Sequence, residues 1–416
     1  MTKAMNLPGT QHDHVKCVLL FLSCFRWLIK HHPISYGNGM FDVISNPQNR
    51  WNHEESGIEN ESAKNLFYHS VNQLYADDLS VEDDEGYILY NDQIDHKWYE
   101  PDVDKKKDVR PLGYPDQDHH GHVKGILFFS KRKNRIMWLL HTAPNFPLPR
   151  YTKFEFRRSQ LVKGQMFLCL TLSFDQLPEL TRLLAISAIN PYDHYIGPEI
   201  YSTQNNIRRI ITGDYTRGCE LESCKQSAKF TLVNGQEIEV FAKSSSEFYD
   251  IYTLIAQKLD LPFKVQSYPV DRSGLGEVYE SGCAANRQVV NILSHKFDKM
   301  ESYKYTCDHS KYSLADTDDA DKKFYCFGDL NRSKSQTSRA GGAVCFKNAV
   351  IHEYLNDAIM EIMSCPFPGF SELTQKKWDL ICKASEQESS EIATGGESKT
   401  KDKGKNKGKP TGKKNG

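Results

Sequence analysis

The sequence predicts an α/β fold built as two similar halves that share one active-site cleft. Three observations lead there. Residues 121–149 read as two apolar strands, 123–129 and 136–140, around a polar turn at 130–135. Near-continuous apolar runs suit strands buried on both faces. Ionisable and amide side chains stand at the strand ends: His122 and Lys124 at one, His141 and Asn145 at the other. A shorter stretch repeats the pattern downstream, where His309 and Lys311 precede a run through Gly328 that ends at Asn331. His309 lies 187 positions after His122, a spacing that suggests a duplication.

Residues 17–29 are apolar enough for an opening strand, and 18–24, after Lys16, fit a signal h-region equally well. Residues 36–60, rich in Gly, Asn and Pro, predict a loop; 62–75 predict a helix through Leu66, Val71 and Leu74. A short strand at 87–90 ends at the turn Asn91-Asp92-Gln93, and 96–118 is a charged, Pro-bearing loop. After Pro149 the pattern gives a strand at 166–174 and a helix at 175–187 with Leu177, Leu180, Leu183 and Leu184 on one face. A connection between halves follows at 190–197. The second half offers strands at 230–233, 238–242, 324–327 and 343–346. Its helices are 245–259, opened by a Ser run, and 350–363. No core residue follows Ile392, so the end reads as a disordered tail. The organisation expected is a leader at 1–24, halves at 25–190 and 191–384, and a Lys-rich tail at 385–416.

At 416 residues and 39% hydrophobic, the chain can bury a large core. No apolar run approaches the ~20 residues that span a bilayer. The net charge of −1 hides an asymmetry: residues 399–416 hold eight Lys and one Asp, leaving 45 basic against 53 acidic residues elsewhere. An acidic body repels polyanions at neutral pH. Fifteen histidines would reverse its sign if charged, so any nucleic-acid binding should strengthen as pH falls through ~6.5. Eleven cysteines show no metal pattern, since Cys219 and Cys224 have no second close pair. Cys326 and Cys345 bracket a Gly- and Arg-containing loop and could close a short disulfide. The sequon Asn60-Glu61-Ser62 is compatible with secretion.

Six runs carry a family resemblance: Tyr90-Asn91-Asp92-Gln93, Gly121-His122-Val123-Lys124-Gly125, the HTAPNFP run at 141–147, Asp308-His309-Ser310-Lys311, Gly328-Asp329-Leu330-Asn331, and the RAGGAVC run at 339–345. Together, in this order, they resemble deoxyribonuclease II over about residues 25–365. The resemblance implies a phospholipase D-like fold of two α/β/α sandwich halves, each giving a His-x-Lys pair and an Asn to the cleft. By motif position these are His122, Lys124 and Asn145, then His309, Lys311 and Asn331, with His141 orienting the first set. It implies hydrolysis of DNA at acid pH with no metal or cofactor, leaving 3′-phosphate ends, in lysosomes or secretions and without a membrane. Monomer and homodimer both stay open. It also implies disulfides from Cys17 or Cys24 to Cys169, Cys283 to Cys365, and Cys326 to Cys345. The blurred start and the lysine tail depart from the family pattern.

Those residue types suit phosphodiester chemistry. A neutral imidazole can attack phosphorus to give a phosphohistidine, while a second, protonated imidazole protonates the leaving oxygen. Lys and Asn side chains can bind the non-bridging oxygens. We name His122 the nucleophile and His309 the acid, with the reverse left open by the pseudo-symmetry. Lys131, Arg132, Lys133 and Arg135 read as a solvated turn before a phosphate site; Asp316 receives no catalytic role; and the sequon at Asn331 reads as coincidence. Two competing functions are a catalytically weak or inactive secreted DNA-binding or host-directed family member, and a phosphodiesterase acting on phospholipid.

Overall fold

Strands whose two faces are both buried dominate the protein. In the computed structural model the described residues are 26–33, 40–44, 51–54, 58, 66–75, 82–94, 120–213, 226–268, 281–282, 287–298 and 300–363. They form a mixed α/β fold with two large sheets and few helices. The first sheet contains β1 (Arg26–His31), β2 (Met40–Ile44), β3 (Trp51–Glu54), β4 (Glu85–Asn91), β5 (Lys124–Ser130), β6 (Arg135–His141), β7 (Gln165–Leu172) and β8 (Pro191–Ile196). Its order is β3-β2-β1-β7-β6-β5-β4-β8. The second contains β9 (Ser227–Thr231), β10 (Glu237–Lys243), β11 (Phe263–Gln266), β12 (Val289–His295), β13 (Tyr303–Lys304), β14 (Tyr312–Ala315), β15 (Phe324–Gly328), β16 (Gly341–Lys347) and β17 (Ile359–Ile362). Its order is β13-β12-β11-β14-β15-β16-β10-β9, with β17 paired to β12.

Alternation along the strands builds three cores. Leu127, Trp138 and Leu168 of the first sheet share a central core with Tyr325, Val344 and Val240 of the second. The intervening residues, Ile126, Leu139 and Phe167, face an outer core with Phe67 of the helix Leu66–Asn72. Cys326, Cys345 and Phe241 likewise face an outer core with Ile255 of the helix Ile251–Leu259. This double burial is why β5 and β6 read as unbroken apolar runs.

The helix expected at 175–187 is present as Leu177–Ile186 and buries Leu177, Leu180, Leu183 and Leu184. Four expectations are corrected. The connection at 190–197 is strand β8, an edge strand paired antiparallel to β4 whose polar residues concealed it. The loop at 36–60 includes β2 and β3, which form the other edge. The helix placed from 245 starts at Ile251, where the Asp250 carboxylate accepts from Thr253 N; the serines before it do not cap it. The helix placed at 350–363 stops at Asp357, because residues 359–362 pair with β12.

Cys326 and Cys345 stand opposite each other on β15 and β16 and are joined by a disulfide. Cys169 is also disulfide-bonded; Cys17 and Cys24 lie outside the described residues, as do Cys283 and Cys365, the leader at 1–24 and the tail at 385–416. Among the described residues no helix is long and apolar enough to cross a membrane.

Candidate active site

Polar residues gather where the apolar strands stop. β4 ends at Asn91, β5 begins at Lys124, β6 ends at His141 and β7 begins at Gln165, all at one end of the first sheet. In the second sheet Lys311 precedes β14, β15 ends at Gly328 and β16 begins at Gly341. The two ends meet. His122 N donates to Ala340 O at 2.9 Å, and its Nδ1 lies 2.6 Å from Asp329 O. His309 N donates to Gly164 O at 2.7 Å, and Gly164 N to Cys307 O at 2.8 Å. Both His-x-Lys pairs therefore lie where the two sheet ends meet, close enough that Lys311 acts electrostatically on His122 and Lys124 on His309.

On the first-sheet side, Lys124 and Arg339 share the Asp92 carboxylate, Arg339 Nη2 at 3.1 Å from Oδ2. Burial alone would raise the Asp92 carboxyl, but Lys124, His122 and Arg339 hold it well below the usual carboxylate range. Burial and then Lys124 push the His122 imidazolium well below its ordinary range. The Asn91 amide donates to Ala143 O and Phe146 O, fastening the loop after β6. Asn145 is half-buried in that loop, in the left-handed region at φ 51°, with its N–H on Gln93 O at 2.8 Å. His141 is sealed against the rings of Phe146 and Phe167, and burial brings its pKa to about 3.

On the second-sheet side the charges are arranged differently. Lys311 donates to His309 O at 2.8 Å, and burial followed by Lys124 lowers it to about 7. Burial raises the Asp329 carboxyl to about 7, although Gly342 N donates to its Oδ2. Asn331 is 8% exposed, and its Oδ1 accepts Tyr268 N at 3.0 Å.

Hydrogen bonding differs at the two histidines. Nδ1 of His122 faces only a carbonyl oxygen, so it holds the proton and Nε2 keeps its lone pair. For His309 the orientation comes through a chain. Met166 N donates to Thr142 Oγ1 at 3.0 Å, so that hydroxyl donates onward to Gln165 Oε1 at 2.8 Å. Gln165 then points Nε2 at Gln160 O and at His309 Nδ1, the latter at 3.4 Å. In the neutral ring, His309 Nδ1 is thus the acceptor and Nε2 carries the proton.

Sequence reasoning gave no role to Asp92, Gln165, Asp329, Arg339 or Lys163. Asp92, Asp329 and Arg339 lay inside the runs that carried the resemblance; Gln165 and Lys163 had no local signal. The basic turn is paired, Lys131 with Glu199 and Lys133 with Glu85, and Asp316 pairs with Lys264. Among the described residues no three His, Cys, Asp or Glu side chains are grouped to hold a metal ion.

A family model described as Deoxyribonuclease II matches residues 27–365. The chain is similar to Plancitoxin-1 of Acanthaster planci, 29% identical over 59% of this chain and 66% of that protein, so it spans just under two thirds of that relative. It is similar also to Deoxyribonuclease-2-beta of Rattus norvegicus, 27% identical over 73% of this chain and 78% of that one. A third relative, Deoxyribonuclease-2 of Caenorhabditis elegans, is 29% identical over 56% and 58% of the two chains.

Proposed function

From the premise that the chain belongs to the deoxyribonuclease II family, we infer that it hydrolyses DNA endonucleolytically through a two-histidine mechanism favoured in acid. The observation that supports it most is that the two His-x-Lys pairs meet where the ends of the two sheets join. His122 Nε2 attacks the phosphorus in line, forming the N–P bond as the P–O5′ bond breaks. The departing 5′-oxygen takes the Nε2 proton of His309 in its imidazolium form, which leaves the ring neutral. Water then attacks the phosphohistidine, gives a proton to His309 and returns the bonding pair to His122, leaving a 3′-phosphate and a 5′-hydroxyl. Lys124, Lys311, Asn145 and Asn331 bind the non-bridging oxygens, a charge-neutralising role that elsewhere falls to metal ions. His141 supports the first set from behind.

Acid preference has a physical basis. With Lys311 and the Asp329 carboxyl both near 7, falling pH adds a positive charge and removes a negative one where the phosphate would bind. The phosphate's own charge then favours the protonated form of His309.

The duplicated, phospholipase D-like reading of the fold belongs to this proposal; the halves expected at 25–190 and 191–384 are here divided after β8, which pairs with β4 of the first sheet. It is supported by strand order: β1-β7-β6-β5-β4 and β10-β16-β15-β14-β11 follow the same sequence, each neighbouring pair antiparallel. The Cys326–Cys345 disulfide supports a secreted or lysosomal setting.

The test is plasmid nicking at pH 5 and pH 7.5, both with EDTA, for the native protein beside His122→Ala and His309→Ala. Acid-favoured, chelator-resistant cleavage lost in both variants is expected. No cleavage by folded native protein would leave only a DNA-binding role, and cleavage surviving either substitution would assign the chemistry to other residues.

A further inference from the structure

The corner around His309 holds two side chains that the hydrolytic steps do not use. Lys163 lies in the turn before β7, yet its Nζ reaches across to Thr306 O at 3.3 Å, on the segment that carries His309. Its neighbour Gly164 supplies the carbonyl that holds His309 N. On the other flank the Tyr268 ring meets the His309 ring edge-on, centroids 4.1 Å apart, and Lys163 Nζ lies 5.7 Å from the Tyr268 centroid. Lysine, tyrosine and histidine thus line one corner of the site, each partly open to solvent.

Charge separates this corner from the other side. Lys124 and Arg339 share the Asp92 carboxylate, so the first-sheet side is largely neutralised within the protein. Among the described residues no carboxylate forms an ion pair with Lys163 or Lys311. An ammonium group beside an aromatic ring suits an anionic ligand carrying a flat base, the pairing that single-stranded nucleic-acid sites use.

Resting on the reading above, we propose that Lys163 and Tyr268 form the subsite for the nucleotide that leaves with the new 5′-hydroxyl. Lys163 meets that nucleotide's own 3′-phosphate, and Tyr268 supports its base or sugar. The direction follows from the chemistry: His309 protonates the 5′-oxygen, so groups packed on His309 lie along the leaving nucleoside. The substrate is then a polynucleotide held by at least one phosphate beyond the scissile one, and a phosphodiester with a small leaving group forfeits that contact.

Two substrates at pH 5 with EDTA separate the outcomes: a short single-stranded DNA oligonucleotide and thymidine 3′-(4-nitrophenyl phosphate), which has no downstream nucleotide. Lys163→Gln and Tyr268→Leu should raise KM on the oligonucleotide about tenfold, with a loss in kcat/KM at least ~5-fold larger than on the nitrophenyl ester. Lys163→Gln should also lower the salt slope of log(1/KM) on the oligonucleotide by about 0.7, the signature of one phosphate contact, and Tyr268→Leu should not. Lys163→Arg, which keeps the charge, should restore both KM and slope. Equal losses on the two substrates, or an unchanged salt slope, would overturn the subsite. If the folded native protein cleaves neither substrate, the nuclease reading falls and the subsite with it.

Discussion

Lys30 Nζ lies 2.9 Å from Asp308 Oδ2, with both side chains sealed from solvent, and this ion pair joins β1 to the residue immediately before His309. Asp308 Oδ1 also accepts Ser310 N at 2.9 Å and Ser310 Oγ at 2.6 Å, so the His309 segment is pinned from both sides. Burial pushes the Asp308 carboxyl up, but Lys30, His295 and Ser310 together bring it below its ordinary range. A Cβ on Gly164 would stand 2.5 Å from Asp308 Oδ1 and 2.8 Å from Lys30 Nζ, so only glycine lets β7 approach the pair.

Lys30→Met should therefore cost about 3–5 kcal/mol, because it strands a buried carboxylate rather than merely losing an attraction. Denaturant unfolding at pH 7 measures it. Lys30→Met with Asp308→Leu should recover much of that stability while activity stays lost, since Ser310 and His309 lose their anchor. A cost below ~1 kcal/mol for the single change would mean the pair is not the joint between the sheets.

Lys311 and Asp329 set the expected alkaline limit of activity. Both titrate near 7, and loss of the Asp329 proton favours Lys311 keeping its own, so kcat/KM on DNA should fall across pH 6–8 with a slope between one and two protons. Asp329→Asn keeps an oxygen for Gly342 N but cannot ionise; it should reduce the slope to about one proton and retain activity at pH 7.5. A single-proton limb in the native protein would exclude this account.

The parts of the fold that were legible are those whose pattern is local. β5 and β6 read as strands because double burial leaves them almost no polar interruption. Edge strands such as β8, with Asp193 and His194, look like loop because one side carries no partner strand. The His-x-Lys pairs stood out because two reactive residues share a strand end, and this happens twice. Lys30 was a different case: its partner is 278 residues away, and no local pattern reports such a pairing. Gln165 was hidden for the same reason, since its role depends on Thr142 and His309 meeting it in space. His141, read as orienting the first set, is placed in an apolar pocket by Phe146 and Phe167, which the HTAPNFP run alone does not convey.

Buried histidines bear on stability in acid. Burial brings His31 and His141 to about 3 and His295 to about 4. A lowered folded pKa means the unfolded chain binds more protons, so this stability is full above ~6.5 and is lost as pH falls toward 4. Each group contributes up to about 1.4 kcal/mol per pH unit in that window. Asp329 works oppositely, its raised pKa favouring the folded state as pH falls from about 7 toward 4. The lowered histidines, His122 and His309 among them, outnumber Asp329, so the protein should be less stable at pH 5 than at pH 7. His141→Phe, which suits the Phe146 and Phe167 pocket, should flatten the curve by about one proton. Urea unfolding from pH 4.5 to 7.5 decides this, and a curve rising toward acid would refute it.

Gln165 offers the sharpest test of which histidine donates the proton. Its amide is held by Thr142 Oγ1 on one side and Gln160 O on the other, so it presents a donor to His309 Nδ1. Gln165→Leu removes a donor that favours neutral His309 over the imidazolium, so the alkaline limb of kcat should move to higher pH. Gln165→Glu places a carboxylate beside Nδ1, which favours the imidazolium, so the alkaline limb of kcat should move to higher pH. That upward shift would not arise if Gln165 merely filled space, nor if His309 were the nucleophile, because a protonated ring cannot attack. An upward shift of the acid limb instead would exchange the roles of His122 and His309. Phosphohistidine trapped by acid quench, then mapped to peptide 122 or peptide 309, gives an independent reading of the same choice.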